Sequence, residues 1–429
     1  MKAPRSAYIH IPFCRRRCFY CDFAVSVVGD RKRGDSSPTI ARYIDTLLTE
    51  INATPKLGSP PARLETVFFG GGTPSLLTAT QVEAIISAID RRFGISPSAE
   101  ISMEMDPATF ELAHIQGYKA AGINRVSLGV QAFQNELLAA AGRFHRRADI
   151  FHAVDLIHQA NIPNFSIDLI SGLPHQTLAD WQTSLEQAIA LNPAHISIYD
   201  LLIEPQTPFS RYFTPGEAPL PSQAITAEMY TLAQRQLTAN GYDHYEICNY
   251  AKPGYAAQHN LTYWRCEANY GFGMGATSYL PQPGGPQRID RPRTQKTYQS
   301  WVEQFVTSGG KTDDSLLPPT EQVVETIMMG LRLKPGISLE TVYDVYGQVG
   351  LEKLGRAIAP HIQSGWVIVQ SESTDTTHNN PTDAATPDSA NVTNLKPTDR
   401  IHLSDPEGFL MSNIVIVDAF NALEALSAN

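Results

Sequence analysis

The stretch Tyr8-Ile9-His10-Ile11-Pro12-Phe13-Cys14-Arg15-Arg16-Arg17-Cys18-Phe19-Tyr20-Cys21 sets three thiols in a C-x3-C-x2-C spacing straight after a short apolar run. Residues 7–11 read as a β-strand, so the thiols open the loop at its end. Cysteine thiolates hold iron-sulfur clusters, normally four to a cluster, and three leave one iron open to an outside ligand. The spacing therefore points to a 4Fe-4S cluster on Cys14, Cys18 and Cys21. A zinc site completed by His10, or a group of buried structural cysteines, is the alternative. Structural zinc sites usually set a second ligand pair well downstream, and none is obvious in the chain.

Beyond this loop, β-rich runs alternate with amphipathic helical patterns. Strands are expected near 7–11, 66–69, 100–105, 125–130, 165–170 and 195–200. Helices such as 39–51, 80–93 and 177–191 lie between them, with Thr or Ser at hand as N-caps. Strands separated by helices pair in parallel through right-handed crossovers. Six such units predict an α/β fold, a partial (β/α)6 barrel smaller than the eight-stranded form. The pattern loosens over 215–286, with one helix near 221–239, a strand-like 244–247 and a Gly-rich stretch at 271–275.

After Pro318, helices are expected at 321–333, 338–346 and 351–364, followed by short strands at 366–370 and 401–404 and a final helix over 408–426. This order predicts a small C-terminal α+β domain of winged-helix type. The expected division is 1–310 for the barrel with its extension and 311–429 for the C-terminal domain. Residues 371–394, rich in Ser, Thr, Asp and Asn, read as a disordered insertion between two strands of that domain.

With 429 residues, 42% hydrophobic and 18% charged, the composition is that of a soluble globular protein. A formal net charge of -10 argues against nucleic acid, whose binders concentrate Lys and Arg on one face. The basic triplets Arg15-Arg16-Arg17 and Arg31-Lys32-Arg33 flank the cysteine loop and read as solvated turns. No apolar run reaches bilayer length and no apolar h-region precedes the first motif, so a cytoplasmic protein that is not integral to a membrane is expected. Five cysteines, three of them clustered, suit reduced thiols that bind something better than a disulfide framework.

Parallel barrels gather functional groups at the C-terminal ends of their strands. Gly70-Gly71-Gly72-Thr73-Pro74 follows the second expected strand, Glu104 and Asp106 mark the end of the third, Gln131 the fourth, and Asp168 lies on the fifth. A glycine run lets backbone approach a ligand without a Cβ in the way, although it serves equally as a tight turn. Each acidic residue alone is often a cap or a surface partner, and it is their convergence on one mouth that suggests a site.

The motifs Tyr8-x-His10-x-Pro12-Phe13-Cys14, Cys18-x-Tyr20-Cys21-Asp22-Phe23, Phe69-Gly70-Gly71-Gly72-Thr73-Pro74, Glu104-x-Asp106-Pro107, Ser127-Leu128-Gly129-Val130-Gln131 and Asp168-Leu169-Ile170-x-Gly172-Leu173-Pro174 occur in that order. Together they resemble the HemN/HemW family of radical S-adenosylmethionine (SAM) proteins. The resemblance implies that the amino and carboxylate groups of SAM take the open iron. It carries SAM binding onto Tyr8, Tyr20, Gly71, Gly72, Thr73, Glu104, Gln131, Arg143 and Asp168. In this reading Glu104 accepts from the SAM ammonium, Arg143 pairs with its carboxylate and Asp168 accepts from a ribose hydroxyl. The C-terminal domain resembles the family's HemN-type C-terminal domain, with a longer insertion.

Two functions are implied within this family. Oxygen-independent coproporphyrinogen III oxidases use an adenosyl radical to decarboxylate propionate side chains, and they carry a further cysteine two positions after the third ligand. Phe23 stands there in this chain, and only seven residues precede Tyr8 where those enzymes have a longer segment. Both departures match the HemW branch of haem chaperones, which bind haem and transfer it to an acceptor protein. His259-Asn260-Leu261-Thr262-Tyr263-Trp264 resembles that branch's H-N-x-x-Y-W motif. Imidazole is a common ligand of haem iron and the two aromatics offer flat apolar faces, which makes His259 a candidate haem contact. From the residues alone, a loop histidine that hydrogen-bonds while Tyr263 and Trp264 fill the barrel's edge fits as well. The acceptor leaves no short motif and stays unidentified.

Overall fold

The computed structural model describes residues 2–57, 62–371 and 395–427. One compact unit comprises Met1–His244, Cys248–Thr262 and Glu267–Leu316, and a second comprises Tyr245–Ile247, Tyr263–Cys266 and Leu317–Asn429.

Six parallel strands form the centre of the first unit: β1 (Ser6–Ile11), β2 (Leu64–Gly71), β3 (Ile95–Met105), β4 (Arg125–Gln131), β5 (Phe165–Ser171) and β6 (His195–Asp200). They are hydrogen-bonded in that order, each parallel to the next. Helices Pro38–Ala53, Ala79–Phe93, Leu112–Ala120, Arg147–Gln159 and Leu178–Ala190 lie among the connections, as the alternating pattern predicts. Local chemistry sets where they start. Ser37 accepts from the Ile40 N–H, while Thr78 with Gln81 and Thr177 with Asp180 close capping boxes. Helix Leu178–Ala190 buries Trp181, Leu185 and Ala188, and the Trp181 indole donates to the Met229 carbonyl at 2.9 Å. Truncating a side chain of this size in a packed core costs about 3–5 kcal/mol.

The sheet extends beyond the six expected strands. Asn269–Phe272 adds a parallel strand beside β1, and Thr277–Gln282 with Gly285–Asp290 continues that edge as an antiparallel hairpin. On the other edge Asn249–Ala251 pairs antiparallel with β6. Asn269–Phe272 escaped the sequence reading because all four residues are buried, which erases the polar-apolar alternation that announces a strand.

A buried ion pair fastens this edge. Arg291 Nε meets Glu50 at 2.8 Å, with the two side chains 1% and 0% exposed. Glu50 also accepts from the Tyr298 hydroxyl at 2.6 Å and the Gly273 N–H at 2.8 Å. Tyr43, two turns earlier on the same face of helix Pro38–Ala53, donates to the His10 carbonyl at 2.7 Å and accepts from the Met274 N–H at 3.0 Å. Helix Pro38–Ala53 thus ties the end of β1 to the added strands.

In the second unit, helices Pro319–Gly330, Glu340–Gln363 and Ser412–Ser427 accompany a three-stranded antiparallel sheet ordered Ile337–Ser338, Arg400–Leu403, Val367–Gln370. The two helices expected at 338–346 and 351–364 both lie within Glu340–Gln363 and are parted at Gly347, which leaves helical geometry at φ 62° and ψ -160°. The expected insertion, from residue 372 to 394, lies outside the described residues. Among the described residues no helix is long and apolar enough to cross a membrane.

Candidate functional site

The cysteine loop is held at both ends by backbone. Phe13–Cys14 pairs with Ser26–Val27, and the Val28 N–H donates to the Cys14 carbonyl at 2.9 Å. The glycine run after β2 laces onto the same loop: the Gly72 N–H donates to Ile11 at 2.9 Å and the Thr73 N–H to Phe13 at 2.7 Å. A Cβ at Gly72 would lie 2.8 Å from the Phe13 carbonyl oxygen and 3.0 Å from the Cys14 sulfur, so only glycine permits this approach. Arg33, expected on a solvated turn, instead donates to the carbonyls of Ser75 at 3.0 Å and of Thr109, bracing the segment behind the run.

Cys14, Cys18 and Cys21 are half-buried and line one cavity of about 430 Å³ at the C-terminal strand ends. Tyr20, Gly71, Gly72, Thr73, Glu104, Gln131, Arg143 and Asp168 line the same cavity, eight of the nine expected SAM positions. Tyr8, the ninth, does not. Its ring stacks on Phe68 with centroids 6.2 Å apart, and its hydroxyl lies 3.1 Å from His10 Nδ1.

Burial pushes the Cys14 thiol up to about 12, partly offset by the Thr73 hydroxyl 3.7 Å from its sulfur, and burial raises Cys21 as well. Such thiols stay protonated until a metal displaces the proton. Among the described residues no three His, Cys, Asp or Glu side chains converge as ligands of a single metal ion. A cluster sets a separate iron on each thiolate, so its ligands stand farther apart than those of one ion. His10 is unavailable to zinc: Tyr8 takes Nδ1, and Nε2 lies 2.8 Å from the Ala24 carbonyl. Cys248 and Cys266 are not among the lining residues. Three thiols on one cavity without a fourth fit a cluster with one open iron.

Beside the thiols stand the carboxylates. Glu104 accepts from the Gly71 N–H at 3.0 Å; burial, then the charge of Asp168, raises its carboxyl to about 7. Asp168 accepts from the Ser127 hydroxyl at 2.9 Å and from Ser166 at 3.2 Å, bonds that pull down a carboxyl raised by burial. Arg125, 2% exposed and two residues before Ser127 on β4, supplies the positive charge acting on both. Gln131 sits in the left-handed region at φ 68°, where a bulge slips β4 against β5 between Gly129 and Gln131. Backbone strain of this kind collects at sites.

Arg143 is placed less simply than expected. One terminal nitrogen donates to Asp106 at 2.5 Å and to the Gly129 carbonyl at 2.9 Å, and the other lies 3.4 Å from the Cys18 sulfur. Burial alone would raise the Asp106 carboxyl, but Arg143 and His145 overcome it and hold it below the usual carboxylate range. From sequence Asp106 is a strand-end carboxylate without an assigned role. His145, fully buried 3.5 Å from Asp106, left no signal beyond its nearness to Arg143.

His259 is elsewhere. It is 1% exposed, stacks on Phe68 with centroids 5.2 Å apart, and sets Nδ1 2.7 Å from the Thr66 hydroxyl. Burial, then Arg125, lowers it to about 3, so the ring is neutral. It does not line the cavity. An open haem contact at His259 is therefore not what the geometry holds; the ring is a packed part of the barrel interior, beside the start of β2. Tyr263 and Trp264, further along helix Gln258–Trp264, are half-buried.

Residues 8–188 match the Radical SAM superfamily and residues 317–377 the HemN C-terminal domain. The heme chaperone HemW of Synechocystis sp. is 43% identical over 421 residues, covering 98% of this chain and 97% of its own length. The heme chaperone HemW of Bacillus subtilis is 35% identical over 374 residues, 86% of this chain and 94% of that one. Among solved structures, the radical SAM enzyme coproporphyrinogen III oxidase (HemN) of Escherichia coli shares the fold, with a TM-score of 0.74 at 22% identity over 97% of this chain and 90% of that one. Taken with the three thiols and the strand-end carboxylates around one cavity, these likenesses show that the chain belongs to the HemN/HemW family of radical SAM proteins, in its HemW branch.

Proposed function

We propose that this protein is a haem chaperone that binds haem and passes it to an acceptor protein, and that it carries a 4Fe-4S cluster on Cys14, Cys18 and Cys21 with SAM at the open iron. The likeness to HemW over nearly the whole of both chains carries this reading. Phe23, at the position where the oxidases place a further cysteine, agrees with it. We further propose a cytoplasmic protein that engages neither nucleic acid nor the membrane interior.

When bound, the cluster and SAM supply one-electron chemistry at the sulfonium. The chain's own residues receive and orient. Glu104 accepts from the ammonium of SAM and Asp168 from a ribose hydroxyl, with Ser127 and Ser166 fixing its carboxylate. The backbone of Gly71 to Thr73 would hold the methionine end, and Tyr20, on the same cavity, would offer its ring to the adenine. Arg143 keeps an Nε–H without a partner, so it can take a carboxylate while still holding Asp106.

The test is anaerobic: cluster-loaded protein with SAM and a reductant is given coproporphyrinogen III, and in parallel haem followed by an apo-haem protein. Haem binding and transfer without decarboxylated product is the expected result. Loss of carboxylate groups, seen by mass, would make the protein an oxidase. In the same preparation Cys18→Ala should lose the broad iron-sulfur absorption, and an unchanged spectrum and iron content would sink the three-cysteine assignment.

A further inference from the structure

The cluster and SAM assignments leave the opening of the cavity unused. Four of its lining residues are large apolar side chains facing solvent: Phe23 (61% exposed), Phe144 (42%), Tyr199 (44%) and Leu202 (68%). Single exposed apolar residues mean little, but several around one opening, edged by charge, mark a binding surface.

Charge of both signs edges it: Arg15, Arg16 and Arg17 stand together on the cysteine loop, which also carries Asp22, while Asp200 and Glu204 come from the end of β6 and the segment after it. The guanidinium carbons of Arg16 and Arg15 lie 5.0 Å and 6.0 Å from the Phe144 ring centroid, so cation and apolar face are interleaved.

These arginines are only partly engaged by the fold. Arg16 forms a two-point pair with Asp30, at 3.0 Å through Nε and 2.7 Å through one terminal nitrogen, with both side chains about half exposed and the other terminal nitrogen not used in that pair. Arg17 donates to the Cys21 carbonyl at 3.1 Å. Arg15 donates to the Ala108 carbonyl at 2.9 Å, and its Nε is buried without a partner.

A flat apolar molecule with carboxylates along one edge matches this arrangement, and haem is such a molecule. We propose that haem sits at this opening, its ring against Phe23, Phe144, Tyr199 and Leu202 and its propionates toward Arg15, Arg16 and Arg17. The proposal rests on the haem-chaperone reading above. Among the described residues no histidine lines the cavity, so the hold is on ring faces and carboxylates.

Haem titration of the cluster-loaded protein, followed by Soret absorbance, tests this. Leu202→Asp and Arg16→Glu should each weaken binding roughly tenfold or more, tenfold being about 1.4 kcal/mol. Val349→Asp, at an equally open position of the second unit (55% exposed), should leave binding unchanged. Haem dimethyl ester, whose propionates are capped, should bind the wild type weakly and be indifferent to Arg16→Glu. Iron content and circular dichroism of each variant confirm that loop and fold are kept. Wild-type affinity in both rim variants, or an equal loss in Val349→Asp, overturns the rim site while the chaperone reading stands. A wild-type protein that binds no haem overturns the chaperone reading itself.

Discussion

Arg143 and Asp106 form an ion pair at 2.5 Å with side chains 10% and 19% exposed, joining the end of β3 to the loop after β4, beside the Cys18 sulfur. Removing one partner of a pair this buried leaves the other charge uncompensated and costs about 3 kcal/mol. Asp106→Asn is expected to lower the denaturant stability of the cluster-free protein by about that amount. An unchanged midpoint would mean that solvent already screens the pair.

Glu104 should give binding a pH dependence. Burial first and the Asp168 charge second raise its carboxyl from 4.5 to about 7. Between these values the folded protein keeps a proton that the unfolded chain has released. Its contribution to stability is therefore full at the acid end of this window and is lost as pH rises through it. Affinity for an ammonium runs the other way, because the ionised carboxylate is the better acceptor. SAM binding should tighten as pH rises through about 7, and Glu104→Gln should flatten that rise. Equal pH slopes in both proteins would remove Glu104 from the ammonium contact.

His259→Ala should act on stability. It deletes a ring packed on Phe68 and strips the buried Thr66 hydroxyl of a partner, each part of a cost of about 2–4 kcal/mol. A lowered melting temperature with undiminished haem affinity is expected. A haem spectrum that changes in this variant, with stability intact, would return His259 to the haem site.

Glu50→Gln is predicted to loosen the added strands. The variant leaves Arg291 buried without its counter-charge, at a cost of about 3–5 kcal/mol. Hydrogen exchange over Asn269–Phe272 and Gly285–Asp290 should rise more than over β4 and β5. Uniform protection across the sheet would contradict the anchoring role of the pair.

Much of this architecture is legible along the chain. The six central strands, the helices among them and the cysteine loop show themselves through periodicity, capping residues and spacing, since each depends on neighbours a few residues apart. The same local rules set Gly71, Gly72, Thr73, Glu104, Gln131 and Asp168 at or near strand ends, which a parallel barrel turns toward one opening. What only the tertiary structure decided depends on residues far apart in sequence. A parallel strand at Asn269–Phe272 becomes one by lying beside β1, about 260 residues earlier. Asp106 acquires its role when Arg143 arrives from another loop. His259, open to a haem reading as a sequence motif, is taken out of reach by Thr66 and Phe68. The apolar rim near the arginines forms only when the cysteine loop, the loop after β4 and the end of β6 meet. Backbone propensity and periodicity act over a few residues, whereas burial, charge pairing and cavity shape are set by what the folded sheet brings into contact.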